Sequence, residues 1–171
     1  MARALLLSTA ALLFPLSAFP QADPKVIYGK DDRIDLYRTD DERLLRLADS
    51  VVSLFHGAEV EVSSGRAALY TEPYGESREL CKDEPFWEQR AGAFCSGSLV
   101  APDMVMTAGH CVRGELACMG TRVVFGFAIR EEGGQTPTSV PAGEVYQCAG
   151  IVGENEETQG ADWALIRWTG R

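Results

Sequence analysis

The chain has 171 residues, 46% hydrophobic and 24% charged, the balance of an ordinary globular protein of one domain or slightly more. The formal net charge of -9 provides no basic stripe for a phosphate backbone, so nucleic acid is not an expected partner. Acidity of this size serves solubility and carries no information about a substrate.

The first residues read as a targeting segment. Arg3 supplies a positive n-region, Ala4 to Leu16 form a mainly apolar stretch, and small residues follow at Ser17, Ala18 and Ala22. Residues 1–22 therefore have the form of a secretory signal peptide, with cleavage after Ala18 or Ala22, and are too short to span a membrane. No second long apolar run follows, so no membrane anchor is expected. Export to an extracellular or periplasmic space makes paired cysteines the expectation for Cys81, Cys95, Cys111, Cys118 and Cys148, with one left over. With no Cys-x-x-Cys and only two histidines, neither a tetrahedral metal site nor any other cofactor is expected.

Residues 23–60 read as an N-terminal extension and 61–171 as the main domain. Thr39-Asp40-Asp41-Glu42 caps a helix running to about Ser50, with Leu44, Leu45, Leu47 and Ala48 as its apolar stripe and acids in the first turn to suit the helix dipole. Val51 to Phe55 is a strand. His56 follows it with nothing nearby that resembles a ligand set. Residues 59–84 are polar and punctuated by Pro73 and Gly75, which predicts loops with at most one short strand. Pro85-Phe86-Trp87 suits either a plug at one end of a barrel or an exposed aromatic loop.

Phe94 to Val100 and the run beginning at Met104 are short apolar segments joined by Ala101-Pro102-Asp103, a hairpin signal. The second run leads into Gly109-His110-Cys111, expected on a short helical turn over 108–113. A disulfide from Cys95 to Cys111 would hold the two ends of the hairpin together and fix where His110 points; a loop of this size contributes about 3 kcal/mol. Thr121 to Arg130 alternates, placing Val123, Phe125, Phe127 and Ile129 on one face of a strand. Strand character resumes from Val140 to Val152, broken by Pro141 and Gly143. Cys118 and Cys148 flank neighbouring strands and are expected to pair, leaving Cys81 over. Glu154-Asn155-Glu156-Glu157 is an acidic loop without the ligand order of an EF-hand. In Gly160-Ala161-Asp162-Trp163-Ala164-Leu165-Ile166, a single acid heads an apolar strand, a position costly to bury unless the acid is paired.

Cys95-Ser96-Gly97-Ser98-Leu99 followed by Thr107-Ala108-Gly109-His110-Cys111 resembles the histidine region of chymotrypsin-like serine endopeptidases, including the bacterial glutamyl-endopeptidase branch. Val26-Ile27 with Gly29 and Asp31-Asp32-Arg33 looks like the mature start of that branch, and Asp162 with Ala164-Leu165-Ile166 is similar to the family's triad-aspartate segment. The resemblance implies an all-β fold, the first antiparallel barrel of the two-barrel chymotrypsin type. It implies peptide or protein substrates and His110 as general base. Asp162, 52 positions later, would accept the Nδ1–H of His110, fix its tautomer and stabilise the imidazolium.

In that family the nucleophile lies in a Gly-Asp-Ser-Gly-Gly-type segment of the second barrel. Only Thr169, Gly170 and Arg171 follow Trp168 here, and Gly-Asp-Ser-Gly occurs nowhere. Ser96 and Ser98 lie in the hairpin and acquire no catalytic role from the resemblance. Three readings follow. The favoured one is a piece of a secreted serine endopeptidase, inactive by itself. The others are a non-enzymatic secreted binding module on one barrel, and half of an enzyme completed by a second chain.

Overall fold

Short apolar runs divided by tight turns cannot bury both faces alone, and in this chain they close on one another as a barrel. The computed structural model describes residues 31–157 and 160–169. The expected signal peptide, residues 1–22, lies outside them, as does the Val26-Ile27 start. Everything below concerns the compact unit Ile34–Arg171.

Helix α1 (Glu42–Ala48) starts where expected, because the Asp41 carboxylate accepts the Arg43 N–H at 2.8 Å. Its expected apolar stripe is not a buried one: Leu44 and Leu47 are exposed, and only Leu45 and Ala48 are half-buried. The strands, in chain order, are β1 (Val51–His56), β2 (Val60–Ser63), β3 (Arg66–Leu69), β4 (Glu72–Pro73), β5 (Arg90–Ala91), β6 (Cys95–Ala101), β7 (Met104–Thr107), β8 (Thr121–Val124), β9 (Ser139–Pro141), β10 (Val145–Glu156) and β11 (Asp162–Thr169). Two short helices, α2 (Tyr74–Ser77) and α3 (Gly114–Met119), lie between strands. The barrel runs β1-β6-β7-β11-β10-β8 and closes from β8 back to β1, every pair antiparallel. The fold is all-β, as expected. Among the described residues no helix is long and apolar enough to cross a membrane.

The barrel strand β1 lies before residue 61, where the sequence reading begins the main domain. It is a barrel stave because Val52 and Leu54 point into the interior with Val105, Val112, Val123, Ala164 and Ile166. Phe55 points the other way, into a second core with Val124, Ala67, Leu69, Val140 and Val145. Several of these residues belong to the outer sheet β2-β3-β9, so β1 and β8 are covered on both faces. That explains the consecutive buried pairs Leu54-Phe55 and Val123-Val124.

Three further expectations are corrected. Residues 60–69 are a hairpin rather than a loop, turning on Ser64 and Gly65, both at positive φ (51° and 80°), the two-residue connection that suits strand twist. Strand β8 ends at Val124, because the chain turns at Gly126 (φ 74°); Phe125 joins the barrel cluster and Phe127 the outer one, so the expected four-residue face is split. Glu154–Glu156 are the end of strand β10, not a loop. Trp87 covers Gly75 of α2 and donates its indole N–H to the Leu80 carbonyl, outside both core clusters, so it does not plug the barrel.

Leu54 is fully buried, whereas Leu47 is exposed. Leu54→Ala is expected to lower unfolding free energy by about 2–5 kcal/mol and Leu47→Ala by less than about 0.5 kcal/mol, measured by urea denaturation with the disulfides intact.

Candidate active site

Strand β7 ends at Thr107, whose hydroxyl donates to the Ser96 carbonyl on β6 at 2.7 Å. The chain then makes a 3-10 turn over Gly109–Cys111. Cys111 is bonded to Cys95 across the hairpin, with Cα atoms 6.2 Å apart. A second disulfide, Cys118–Cys148, ties α3 to β10. Both expected pairs are present, and Cys81 is an exposed free thiol. The segment carrying His110 is therefore fixed to the barrel on each side.

Gly109 sits hard against β10. A β-carbon there would lie 2.4 Å from the Asn155 carbonyl oxygen and 3.0 Å from Asp162 Oδ1. Only glycine lets the turn approach this closely. Asp162 is the first residue of β11 and the cross-strand partner of Glu156. Since β11 also pairs with β7, with Ala164 opposite Thr107, the head of β11 and the turn after β7 share one edge of the barrel.

At that edge the Asp162 carboxylate bonds His110 twice. Oδ1 accepts the His110 backbone N–H at 3.0 Å, and Oδ2 lies 2.6 Å from the ring Nδ1. An ionised carboxylate can only accept, so Nδ1 carries the proton and the lone pair of the neutral ring is on Nε2. The ring hydrogen bond, followed by the backbone N–H of His110, holds the Asp162 carboxyl below its ordinary value; partial desolvation opposes them. The two side chains keep 51% and 36% of their surface. The structure thus brings together the two residues singled out from the sequence.

Among the described residues no serine hydroxyl is hydrogen-bonded to His110. Ser96 and Ser98 are ladder residues of β6, opposite Ser53 and Val51 on β1. His56 stays apart, its ring stacked on Phe94 at 4.3 Å. Ligand atoms of Cys95, Cys111 and His110 lie within 4.8 Å of one another, but the two sulfurs are spent in a disulfide and offer no thiolate to a metal. The sequence reading missed Arg113, which forks onto Glu156 beside the His110–Asp162 couple at 2.8 and 2.6 Å. Its signal in the sequence is only an arginine three places after the histidine.

The family model described as Trypsin matches residues 85–171, and the chain belongs to this family. Membership makes it a serine-peptidase-type hydrolase domain by descent, with peptide or protein substrates as the class the family handles. No curated protein matches the chain.

The depressed Asp162 value has a consequence for stability. A carboxyl lowered by folding contributes stability that is present above its unfolded value, ordinarily 3.8, and is lost as pH falls through the folded value. Between pH 6 and pH 3 the urea midpoint of Asp162→Asn should therefore fall less than that of the wild type. Equal falls would show that Asp162 is not a linked group.

Proposed function

We propose that the chain is the base-bearing barrel of a secreted trypsin-type serine endopeptidase, with His110 as general base and Asp162 as the acid that orients it. The observation that carries this reading is the double hydrogen bond from one carboxylate to the amide and ring of His110. It fixes the ring about its own backbone and leaves Nε2 as the nitrogen for proton transfer. Export is supported by the two disulfides and by the composition of residues 1–22.

In the proposed reaction a serine Oγ attacks the scissile carbonyl carbon while Nε2 takes its proton. The carbonyl electrons move to oxygen, and the imidazolium is stabilised by Asp162. Collapse of the tetrahedral intermediate breaks the C–N bond, and the Nε2 proton goes to the leaving amine. Water then repeats the sequence on the acyl-enzyme, releasing the acid and restoring the serine. The serine and the oxyanion donors are proposed to come from outside residues 31–169, from a second barrel or from another chain. Exposed apolar side chains on one row support such a covering half: Val51 is opposite Ser98, Ser98 opposite Met106, and Met106 opposite Leu165, and Val51 and Met106 are exposed on the outside of the barrel.

The purified 171-residue chain is expected to show no serine-reagent-sensitive peptide hydrolysis. The complete product of its gene should hydrolyse peptides, and His110→Ala should lower kcat on the order of a million-fold. Hydrolysis by the 171-residue chain, or a complete product indifferent to His110→Ala, would overturn the proposal. Absence of hydrolysis in both forms would favour a non-enzymatic module.

A further inference from the structure

The His110–Asp162 couple has a second link beside it that its chemistry does not use. Arg113 follows the turn that carries His110 and is the N-cap position of α3. Glu156 is the last residue of β10 and directly faces Asp162 across the β10–β11 ladder. The Arg113 Nε donates to Glu156 Oε2 at 2.8 Å and its Nη2 donates to Oε1 at 2.6 Å, a bidentate fork. Two links therefore run in parallel between the same two pieces of chain: His110 to Asp162, and Arg113 to Glu156.

The charges give this second link more than a tethering role. Like charges directly opposite on antiparallel strands destabilise the pairing, and Glu156 and Asp162 are such a pair. Arg113 stands against both. Each group acts on the next: Arg113 lowers the Glu156 carboxyl, the Asp162 charge raises it, and Asp162 in turn favours the charged form of Arg113. Among the described residues, those whose charges act with Asp162 are His110 from the turn, Arg113 from the segment after it, and Glu156 from β10, with Glu157 next in the chain and its N–H on the Ala161 carbonyl.

We propose that Arg113 and Glu156 are positioning residues for the His110–Asp162 couple: their fork locks the segment bearing His110 to the hairpin end bearing Asp162, and Arg113 cancels the carboxylate that would otherwise act on Asp162. The inference rests on reading His110 and Asp162 as base and orienting acid. A free Glu156 would weaken the ionised state that Asp162 needs. A free Arg113 would draw the Asp162 charge away from the imidazole.

The test uses the 171-residue chain and two NMR readouts, the carboxyl-carbon titration of Asp162 and the solvent exchange of the His110 amide that bonds Oδ1. Arg113→Gln should move the Asp162 midpoint up, Glu156→Gln should move it down, and the double variant should return near wild type. Both single variants should speed His110 amide exchange several-fold. Arg113→Lys, which keeps the charge and loses the fork, should restore the titration but not the slow exchange. Amides of Val105 and Ile166 report whether each variant remains folded. Both side chains of the pair are substantially exposed, so the fold is expected to survive the changes. General loosening would move both single variants the same way; that result, or no movement, overturns the inference. Because neither readout is hydrolysis, failure here is distinct from failure of the protease reading, which the His110→Ala assay decides.

Discussion

One carboxylate bonded to both the amide and the ring of a single histidine is the constraint on which this structure depends. Asp162 and His110 are 52 positions apart, and no local preference brings them together. The barrel does so by making β7 and β11 neighbours, which sets the turn after one strand beside the head of the other. Gly109 then permits a contact with β10 that no side chain would allow, and the Cys95–Cys111 bond prevents the turn from swinging out. Interior residues such as Val105, Ala164 and Ile166 bear on the site indirectly, because they fix the two strands whose ends carry it.

The couple is preorganised but not enclosed. His110 and Asp162 each keep a third or more of their side-chain surface, and in contact with water a charge-assisted bond is weaker than in a covered site. In the role proposed for it, the couple would gain strength once water is excluded and an oxyanion stabiliser is placed opposite. Val51 and Met106 are likewise exposed on the outside of the barrel, and the proposed covering half would bury them together with the open face of the couple.

Much of this was legible in the sequence because the informative residues are dense and local. Cys95 and Cys111 bracket the hairpin, and Asp162 stands as the lone acid ahead of Ala164-Leu165-Ile166, so the disulfide and the two residues that meet at the barrel edge are marked in the sequence itself. What could not be read depended on cover from distant segments. The Val60–Leu69 hairpin looks polar because its outward positions are Glu61, Ser63 and Arg66, while its inward Ala67 and Leu69 meet Phe55 on the preceding strand and Val140 far along the chain. The alternation through Phe127 misled because Gly126, at positive φ, breaks the extended backbone within it. Arg113 is marked only by lying three places after the histidine, and Glu156 becomes a neighbour of the site through the register of β10 against β11.

The most direct measurement on the central interaction is the far-downfield proton NMR spectrum of the 171-residue chain at neutral pH and low temperature. A protonated Nδ1 held by a carboxylate should give one slowly exchanging resonance there, lost in Asp162→Asn and retained in His56→Gln. No such resonance, or one that survives Asp162→Asn, would contradict the view that Asp162 holds His110 as an oriented base.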